Sequence, residues 1–247
     1  MIFLTCCVPV APMRLEAGHR VEMISQLLFG ECAVLLDKQP GGWIKVKSKS
    51  DEYTGWCQQA HLQEISVDSY NLDKYSLTAD WAADLIYNKY TMKIPMGSIL
   101  TGMDSGKFKG NLWDPFSAIK NEENIKQLAF KFLNTAYLWG GRSVFGVDCS
   151  GFTQSVYKFL NIPLLRDASQ QATQGELIDF LQQAKCGDLA FFDDDDGSIT
   201  HVGLLLNDHE IIHAAGKVRV DKIDSQGIIN ADTGLRTQKL RIIKRYF

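Results

Sequence analysis

The sequence predicts an α+β protein in which one or two small antiparallel β-barrels precede a larger domain of helices and strands. In the first half, short apolar stretches alternate with turn-forming residues between about residues 20 and 65. In the second half, helical spacing of apolar residues gives way to a series of strand-like segments. The chain of 247 residues is 45% hydrophobic and 22% charged, which is enough apolar material for more than one core.

The first predicted barrel covers residues 1–70. Its strand candidates are residues 32–36, 43–47 and 55–57, and glycine, proline and polar residues separate them. Residues 71–117 predict a second unit of the same kind followed by a linker, although its strand patterns are weaker.

The predicted catalytic half, residues 118–247, begins with two helices. Apolar residues recur at intervals of three and four over residues 122–137, and a glycine pair ends that pattern. The second helix is predicted over residues 150–160, which puts Cys149 at its N-terminus. Four apolar segments then predict strands, at residues 188–192, 201–206, 210–214 and 239–247.

Charge and hydropathy exclude several kinds of partner. With 26 basic and 29 acidic side chains the formal charge is −3, so no broad cationic surface is expected to hold nucleic acid or anionic lipid. Apolar runs stay well short of the roughly 20 residues that cross a bilayer, so no membrane span is predicted.

Cysteine usage bears on cofactors and compartment. The six cysteines show neither a Cys-x-x-Cys pair nor zinc-finger spacing, so no metal or other cofactor is predicted and a reducing cytoplasm is expected. The apolar start is interrupted by Pro9 and Pro12 and has no basic residue before it, which makes a poor signal peptide. A periplasmic or exported protein whose leader was removed is the alternative.

Cys149, His201 and His213 form the candidate catalytic group. A helix N-terminus and a neighbouring imidazole both favour a thiolate. The two histidines lie on strand candidates joined by a polar turn. A loop with an odd number of residues, such as 207–209, directs both rings to one face, whereas a two-residue loop separates them. His201 is then expected to act as the base and His213 to orient it. Each residue alone is more often structural, so the interpretation depends on their combination.

Five motifs in the catalytic half agree together in order and spacing with those of a known family. They are residues 137–141 (YLWGG), 148–152 (DCSGF), 187–192 (GDLAFF), 201–203 (HVG) and 212–214 (IHA). In these motifs the chain resembles the NlpC/P60 peptidases. The resemblance implies a papain-like domain with a Cys-His-His triad that hydrolyses peptidoglycan stem peptides, preceded by barrels similar to bacterial SH3 domains. By motif, Cys149 is the nucleophile, His201 the base and His213 the third member.

The subgroup with such barrels cleaves the γ-D-glutamyl-diaminopimelate or γ-D-glutamyl-lysine bond of freed stem peptides with an unblocked L-alanine. The preferred diamino acid and the oligomeric state stay open. A free ammonium group needs a carboxylate partner in a closed pocket, for which Asp148 and Asp167 are candidates. Arg166 is the candidate partner of the D-glutamyl α-carboxylate. The resemblance also implies that Tyr53 caps this pocket.

Three further residues complete the predicted substrate site. Ser150 adjoins the nucleophile, and Tyr137 is expected to help the Cys149 backbone amide hold the oxyanion. Trp139 belongs to the same motif as Tyr137, although either aromatic residue also suits a structural core. Arg166 and Asp167 together also suit a surface ion pair.

Two alternative functions remain at this level. One is an amidase or acyltransferase on the same fold, because this triad serves several acyl substrates. The other is a non-catalytic wall-binding protein whose barrels carry the function.

Overall fold

The computed structural model describes residues 1–101 and 107–247 and divides into two compact units. Unit 1 consists of Met1–Ala118 and Trp139–Phe145, and unit 2 consists of Ile119–Leu138 and Gly146–Phe247. The segment Trp139–Phe145 was predicted within the catalytic domain but groups with unit 1. Residues 102–106 of the second predicted barrel lie outside the described residues.

The N-terminal part of unit 1 is a seven-stranded antiparallel sheet. Its strands are β1 (Phe3–Cys6), β2 (Val10–Arg14), β3 (Met23–Leu28), β4 (Cys32–Gln39), β5 (Trp43–Ser48), β6 (Thr54–Gln58) and β7 (Leu62–Ile65), in the order β3-β2-β6-β5-β4-β1-β7. Every strand contributes to one apolar cluster, which includes Met13, Leu27 and Val46. The three predicted strands are confirmed as β4, β5 and β6, whereas β1, β2, β3 and β7 were not predicted; Pro12 lies within β2 and obscured its pattern.

Two three-stranded sheets complete the N-terminal half. A 3₁₀ turn (Gln59–His61) precedes β7 and helix α1 (Val67–Tyr70) follows it; then come β8 (Ser76–Thr78), β9 (Ala82–Tyr87), β10 (Tyr90–Pro95), β11 (Ile99–Leu100), β12 (Phe108–Lys109) and β13 (Leu112–Trp113). The sheets have the orders β10-β9-β12 and β11-β8-β13. Phe29, from the loop after β3, packs against Leu85, Ile94 and Leu100. Gly30 has φ +79°, and a side chain there would overlap the carbonyl oxygen of Ile99, so glycine is required.

A buried ion pair explains why Trp139–Phe145 belongs to unit 1. Arg142, on the short strand β14 (Arg142–Ser143), places Nη1 3.0 Å from Glu31 Oε2, and both side chains are buried. Its backbone N–H also donates to Gln26 Oε1 at 2.8 Å. A buried charge needs such partners, so this segment is held by residues far away in sequence.

Unit 2 contains three α-helices among its described residues. They are α2 (Glu122–Phe130), α3 (Cys149–Lys158) and α4 (Ala168–Gln171). The predicted extension of the first helix to residue 137 is wrong. Asn134 takes φ +65° and donates its N–H to the carbonyl of Val218, so the chain leaves the helix for the edge of a strand. No helix in the described part of the chain has the length and apolar character needed to cross a membrane.

Six strands of unit 2, β17 to β22, build a closed barrel. The strands of the unit are β15 (Gly146–Val147), β16 (Glu176–Ile178), β17 (Leu189–Asp193), β18 (Ile199–Leu205), β19 (Glu210–Ala215), β20 (Lys217–Asp224), β21 (Gly227–Ile229) and β22 (Arg236–Arg245), with a 3₁₀ turn at Leu181–Gln183. The sheet order is β16-β22-β17-β18-β19-β20-β21, and an additional pairing of β21 with β22 closes the ring. Phe192, Leu205, Ile211 and Ile243 belong to the core cluster of these strands. The four predicted strands are confirmed, whereas β20, β21 and the closure were not predicted.

Helix α3 packs against β18 and β19. All of its residues from Cys149 to Tyr157 are buried. Asp148 is its N-cap and accepts a hydrogen bond from the Gly151 backbone N–H at 2.7 Å. The predicted position of Cys149 at the helix N-terminus is therefore confirmed, on the helix that lies against the strands carrying the two histidines.

Candidate active site

His201 and His213 meet across the β18–β19 hairpin. Gly203 pairs with His213, and the pairing continues to Leu205 and Ile211. The Leu206 N–H bonds to the Glu210 carbonyl, which leaves the three residues 207–209 in the loop. The odd-numbered loop is thus confirmed, and His201 Nε2 lies 2.8 Å from His213 Nδ1.

Gly203 makes room for this contact. It lies directly opposite His213 and two residues after His201, on the face of the hairpin that carries both rings. A Cβ at this position would lie 2.9 Å from His213 Cβ and 2.6 Å from Ile211 Cδ1. A side chain here would therefore displace the His213 ring that His201 contacts.

Asp221 extends the pair to a third strand, and the sequence interpretation missed it. His213 Nε2 lies 3.0 Å from Asp221 Oδ2, and both side chains are buried. In the β19–β20 pairing, His213 faces Arg219, so Asp221 is its diagonal neighbour on the same face. The alternation of polar residues 217, 219 and 221 indicated a strand with one polar face. It could point to Asp221 as a partner of His213 only once β20 was known to pair with β19.

Cys149 lies in a buried environment, with 6% of its surface exposed. Burial and, to a smaller extent, the charge of Asp148 raise the pKa of its thiol to about 11. Backbone hydrogen bonds from Val202 and Ser150 and the charge of Arg166 oppose this increase in pKa. The backbone N–H of Ser150 at the helix terminus does favour a thiolate, but desolvation of the sulfur has the larger effect on the pKa.

Burial also favours the neutral form of His201. Burial lowers the pKa of its imidazole to about 3, and His213 contributes to the decrease. Since His201 Nε2 contacts His213, Nδ1 is the ring nitrogen left for the thiol. Burial therefore favours the neutral thiol and the neutral imidazole over their charged forms.

The lowered pKa of His201 predicts acid sensitivity of the fold. The unfolded chain takes up this proton below about pH 6.5, whereas the folded protein resists it down to about pH 3. Stability is therefore fully present above pH 6.5 and declines as the pH falls towards 3. Between pH 7 and 4.5 we expect His201 to account for a loss of roughly 2 kcal/mol.

Calorimetry of the wild type and of His201→Gln at pH 7 and 4.5 measures this contribution. The decrease in Tm on acidification should be smaller in His201→Gln. His209→Gln is the matched control, because His209 lies in the loop of the same hairpin with its ring exposed. An equal decrease in Tm for His201→Gln and the wild type would contradict the assignment.

Asp148 and Arg166 form a buried bidentate ion pair. Arg166 Nη2 lies 2.5 Å from Asp148 Oδ2, and Nη1 lies 3.1 Å from Oδ1. Nη1 also donates to Ser150 Oγ at 2.9 Å. Arg166 is only 1% exposed, so it does not form a surface ion pair. The predicted contacts of Arg166 and Asp148 with substrate charges stay predictions.

Asp167 lies at the N-terminus of α4, half-buried, next to a buried network. Its backbone N–H donates to Gln170 Oε1 at 3.0 Å. Buried Gln171 accepts from Thr153 Oγ1 at 2.8 Å and donates to the Ser150 carbonyl at 3.0 Å. These bonds tie α4 to the start of α3, so Asp167 is held in the same region as the Cys149 helix.

The three aromatic candidates belong to different units. Tyr137 belongs to unit 2 and is half-buried, and burial together with the nearby Cys149 and Asp148 raises the pKa of its phenol. Trp139 belongs to unit 1, is 59% exposed and donates from Nε1 to Glu22 Oε1 at 2.6 Å, so it is not a core residue. Tyr53 also lies in unit 1, in the loop before β6, where its backbone N–H bonds to Asp51 at 3.2 Å.

In residues 1–101 and 107–247, no group of three or more His, Cys, Asp or Glu side chains is arranged to hold a metal ion.

Two family models match this chain. Residues 134–237 match the NlpC/P60 family, and residues 13–62 match the bacterial dipeptidyl-peptidase SH3 domain. The chain is 37% identical to a γ-D-glutamyl-L-lysine dipeptidyl-peptidase of Bacillus cereus, over 86% of this chain and 74% of the relative. It is 32% identical to the Bacillus subtilis protein of the same name, over 77% of this chain and 71% of the relative.

Solved structures show the same fold. An NlpC/P60 family protein from Bacillus cereus aligns with a TM-score of 0.83 over 99% of each chain, at 21% identity. An NlpC/P60 endopeptidase of Photobacterium damselae aligns with a TM-score of 0.71 over 97% of this chain and 70% of that one, at 16% identity. The predicted α+β fold class with SH3-like strands before the catalytic domain is confirmed.

Proposed function

Because this chain belongs to the NlpC/P60 family, we propose that it is a cysteine peptidase that hydrolyses the γ-D-glutamyl-L-diamino acid bond of peptidoglycan stem peptides. The names of the two Bacillus relatives support this bond. The observation that carries the chemistry is the buried row in unit 2, in which His201 contacts His213 and the sulfur of Cys149 lies beside the strand of His201.

The reaction we propose is acyl transfer through the thiol. Cys149 gives its proton to Nδ1 of His201 as the sulfur attacks the γ-glutamyl carbonyl carbon. The backbone N–H of Cys149 at the N-terminus of α3, with Tyr137, stabilises the resulting oxyanion. His201 then protonates the departing amine of the diamino acid, and water hydrolyses the thioester to release the acyl product and restore the thiol.

Moving the proton only during attack suits this buried site. Thiolate and imidazolium together would require two charges in a region where burial disfavours both. When the sulfur bonds to the carbonyl carbon, the negative charge moves to the carbonyl oxygen, where hydrogen-bond donors stabilise it. Cys149 therefore transfers its proton to His201 only when substrate is present.

We propose Asp167 as the carboxylate that binds the free amino group of L-alanine. It is half-buried at the N-terminus of α4, and hydrogen bonds of Gln171 tie this helix to the start of α3. Asp148, Arg166 and Ser150 form one buried hydrogen-bonded group at the N-terminus of α3. The cap by Tyr53, the contact of Trp139 with substrate and the cytoplasmic location stay predictions.

Mass spectrometry of reaction products tests the function. L-Ala-γ-D-Glu-diaminopimelate and its lysine counterpart should be split into L-Ala-D-Glu and the free diamino acid. N-acetylation of the same tripeptide removes the ammonium group that Asp167 is proposed to bind, and it should lower kcat/KM at least about 100-fold. Intact sacculus should stay uncut.

The alternatives give other products. Release of an N-acetylmuramoyl amide or of a lipid ester, with no cleavage of the tripeptide, would assign the amidase or acyltransferase function instead. Equal cleavage of sacculus and free tripeptide would contradict the requirement for a free amine.

A further inference from the structure

We infer that Asp221 fixes the direction of every hydrogen bond in the catalytic row and is thereby a positioning residue for the Cys149–His201 pair. The inference rests on the proposed function for its kinetic consequence. Its structural part, the tautomers of two histidines, is independent of any substrate.

The row crosses three neighbouring strands in regular steps. His201 on β18 is diagonal to His213 on β19, and His213 is diagonal to Asp221 on β20. The joining distances are 2.8 Å between the two rings and 3.0 Å between His213 Nε2 and Asp221 Oδ2. All three side chains are buried, so water does not substitute for a missing donor or acceptor.

Asp221 is held as a carboxylate. Burial alone would raise its pKa, but hydrogen bonds from His213, the Ala231 backbone and Arg219 lower it to about 2. Oδ1 accepts from the Ala231 N–H at 2.8 Å and from Arg219 Nη2 at 2.9 Å. Arg219 is itself held, since Nη1 lies 2.8 Å from Asp232. An ionised carboxylate is only an acceptor.

Because Asp221 can only accept, it determines the direction of the other hydrogen bonds in the row. His213 must carry its proton on Nε2 to donate to Asp221, so its Nδ1 is an acceptor. His201 must then carry its proton on Nε2, which leaves a lone pair on Nδ1. That lone pair is what the thiol of Cys149 needs for its proton. With the opposite tautomer of His213, Nδ1 of His201 would be protonated and could not act as the base.

The variant Asp221→Asn tests the positioning role, because asparagine keeps the shape of aspartate but lacks its charge. The two donors at Oδ1, from Ala231 and Arg219, would hold the carbonyl oxygen of the new amide, so its NH2 group would face His213. His213 and His201 would both have to move their protons to Nδ1. We expect kcat to fall roughly 10²- to 10⁴-fold with little change in KM, as for the carboxylate of a serine peptidase triad.

Nitrogen-15 NMR of the histidine rings gives the decisive measurement. In the wild type we expect both His201 and His213 to be protonated on Nε2, and in Asp221→Asn both on Nδ1. The chain has five histidines, so single His→Gln variants assign the signals. Asp221→Glu keeps the carboxylate and should retain the wild-type tautomers and more activity than Asp221→Asn.

Asp224→Asn is the matched control on the same strand. Asp224 also pairs with an arginine, Arg236, but has no histidine partner among its hydrogen bonds. Its variant should keep the tautomers and change kcat less than about twofold.

The outcomes distinguish the two proposals. A wild-type His213 protonated on Nδ1, or unchanged tautomers in a folded Asp221→Asn, would overturn the role of Asp221. If the tautomers follow the expectation but the wild type does not cleave the tripeptide, the proposed function fails and the role of Asp221 in ordering the row stands.

Discussion

Replacing Cys149 by alanine is expected to lower kcat for the tripeptide roughly 10⁴- to 10⁶-fold. Loss of the nucleophile removes the covalent path, and the remaining members of the row cannot replace it because they act as a unit. KM should change little, since the thiol contributes mainly to the reacting state. Initial rates of dipeptide release, followed by mass spectrometry, measure the effect.

Cys186→Ala is the control for a general effect of removing a thiol. Cys186 is a half-buried free cysteine of the same unit, and it lies outside the catalytic row. Its variant should retain activity within about twofold of the wild type. More than about 1% residual activity in a correctly folded Cys149→Ala protein would rule out Cys149 as the nucleophile.

Replacing Arg166 by methionine is expected to destabilise unit 2 by about 3–5 kcal/mol. The change leaves the carboxylate of Asp148 buried and uncompensated, which is far more costly than losing an exposed ion pair. The free energy of unfolding from urea titration followed by circular dichroism measures the loss. Activity should fall as well, because Arg166 also binds Ser150 beside the nucleophile.

A double-mutant cycle tests the cause of this loss. Asp148→Asn in the Arg166→Met background removes the buried charge but keeps an N-cap residue for α3, so part of the stability should return. Arg236→Met breaks the exposed pair with Asp224 and is the control, for which no comparable loss is expected. If the double variant is as unstable as Arg166→Met, the buried charge is not the source of the effect.

Local patterns in the sequence were enough to predict the Cys149 helix and the histidine hairpin. The apolar spacing over residues 150–160 and the polar turn between the two histidine strands both depend on neighbours in the chain. The five motifs then identified the family without any knowledge of contacts. The strands β4, β5 and β6 followed from the same kind of local evidence.

Ion pairs and hydrogen bonds between distant residues were decided by the tertiary structure. From the sequence, Arg166 also suited a surface ion pair with its neighbour Asp167. In the structure it binds Asp148, eighteen residues away, because both charges are buried and each needs a partner. The helix α2 ends at Phe130 because β20 offers hydrogen bonds to the residues that follow.

The sequence by itself determined the nucleophile's helix, the two strands that carry the histidines and the family of the chain. Only the tertiary structure decided that Asp221 joins the row, that Trp139 belongs to unit 1 and that burial raises the pKa of Cys149. The physical reason is that local patterns record hydrogen bonding and packing along one segment. Desolvation and the pairing of buried charges depend on which segments the fold brings together.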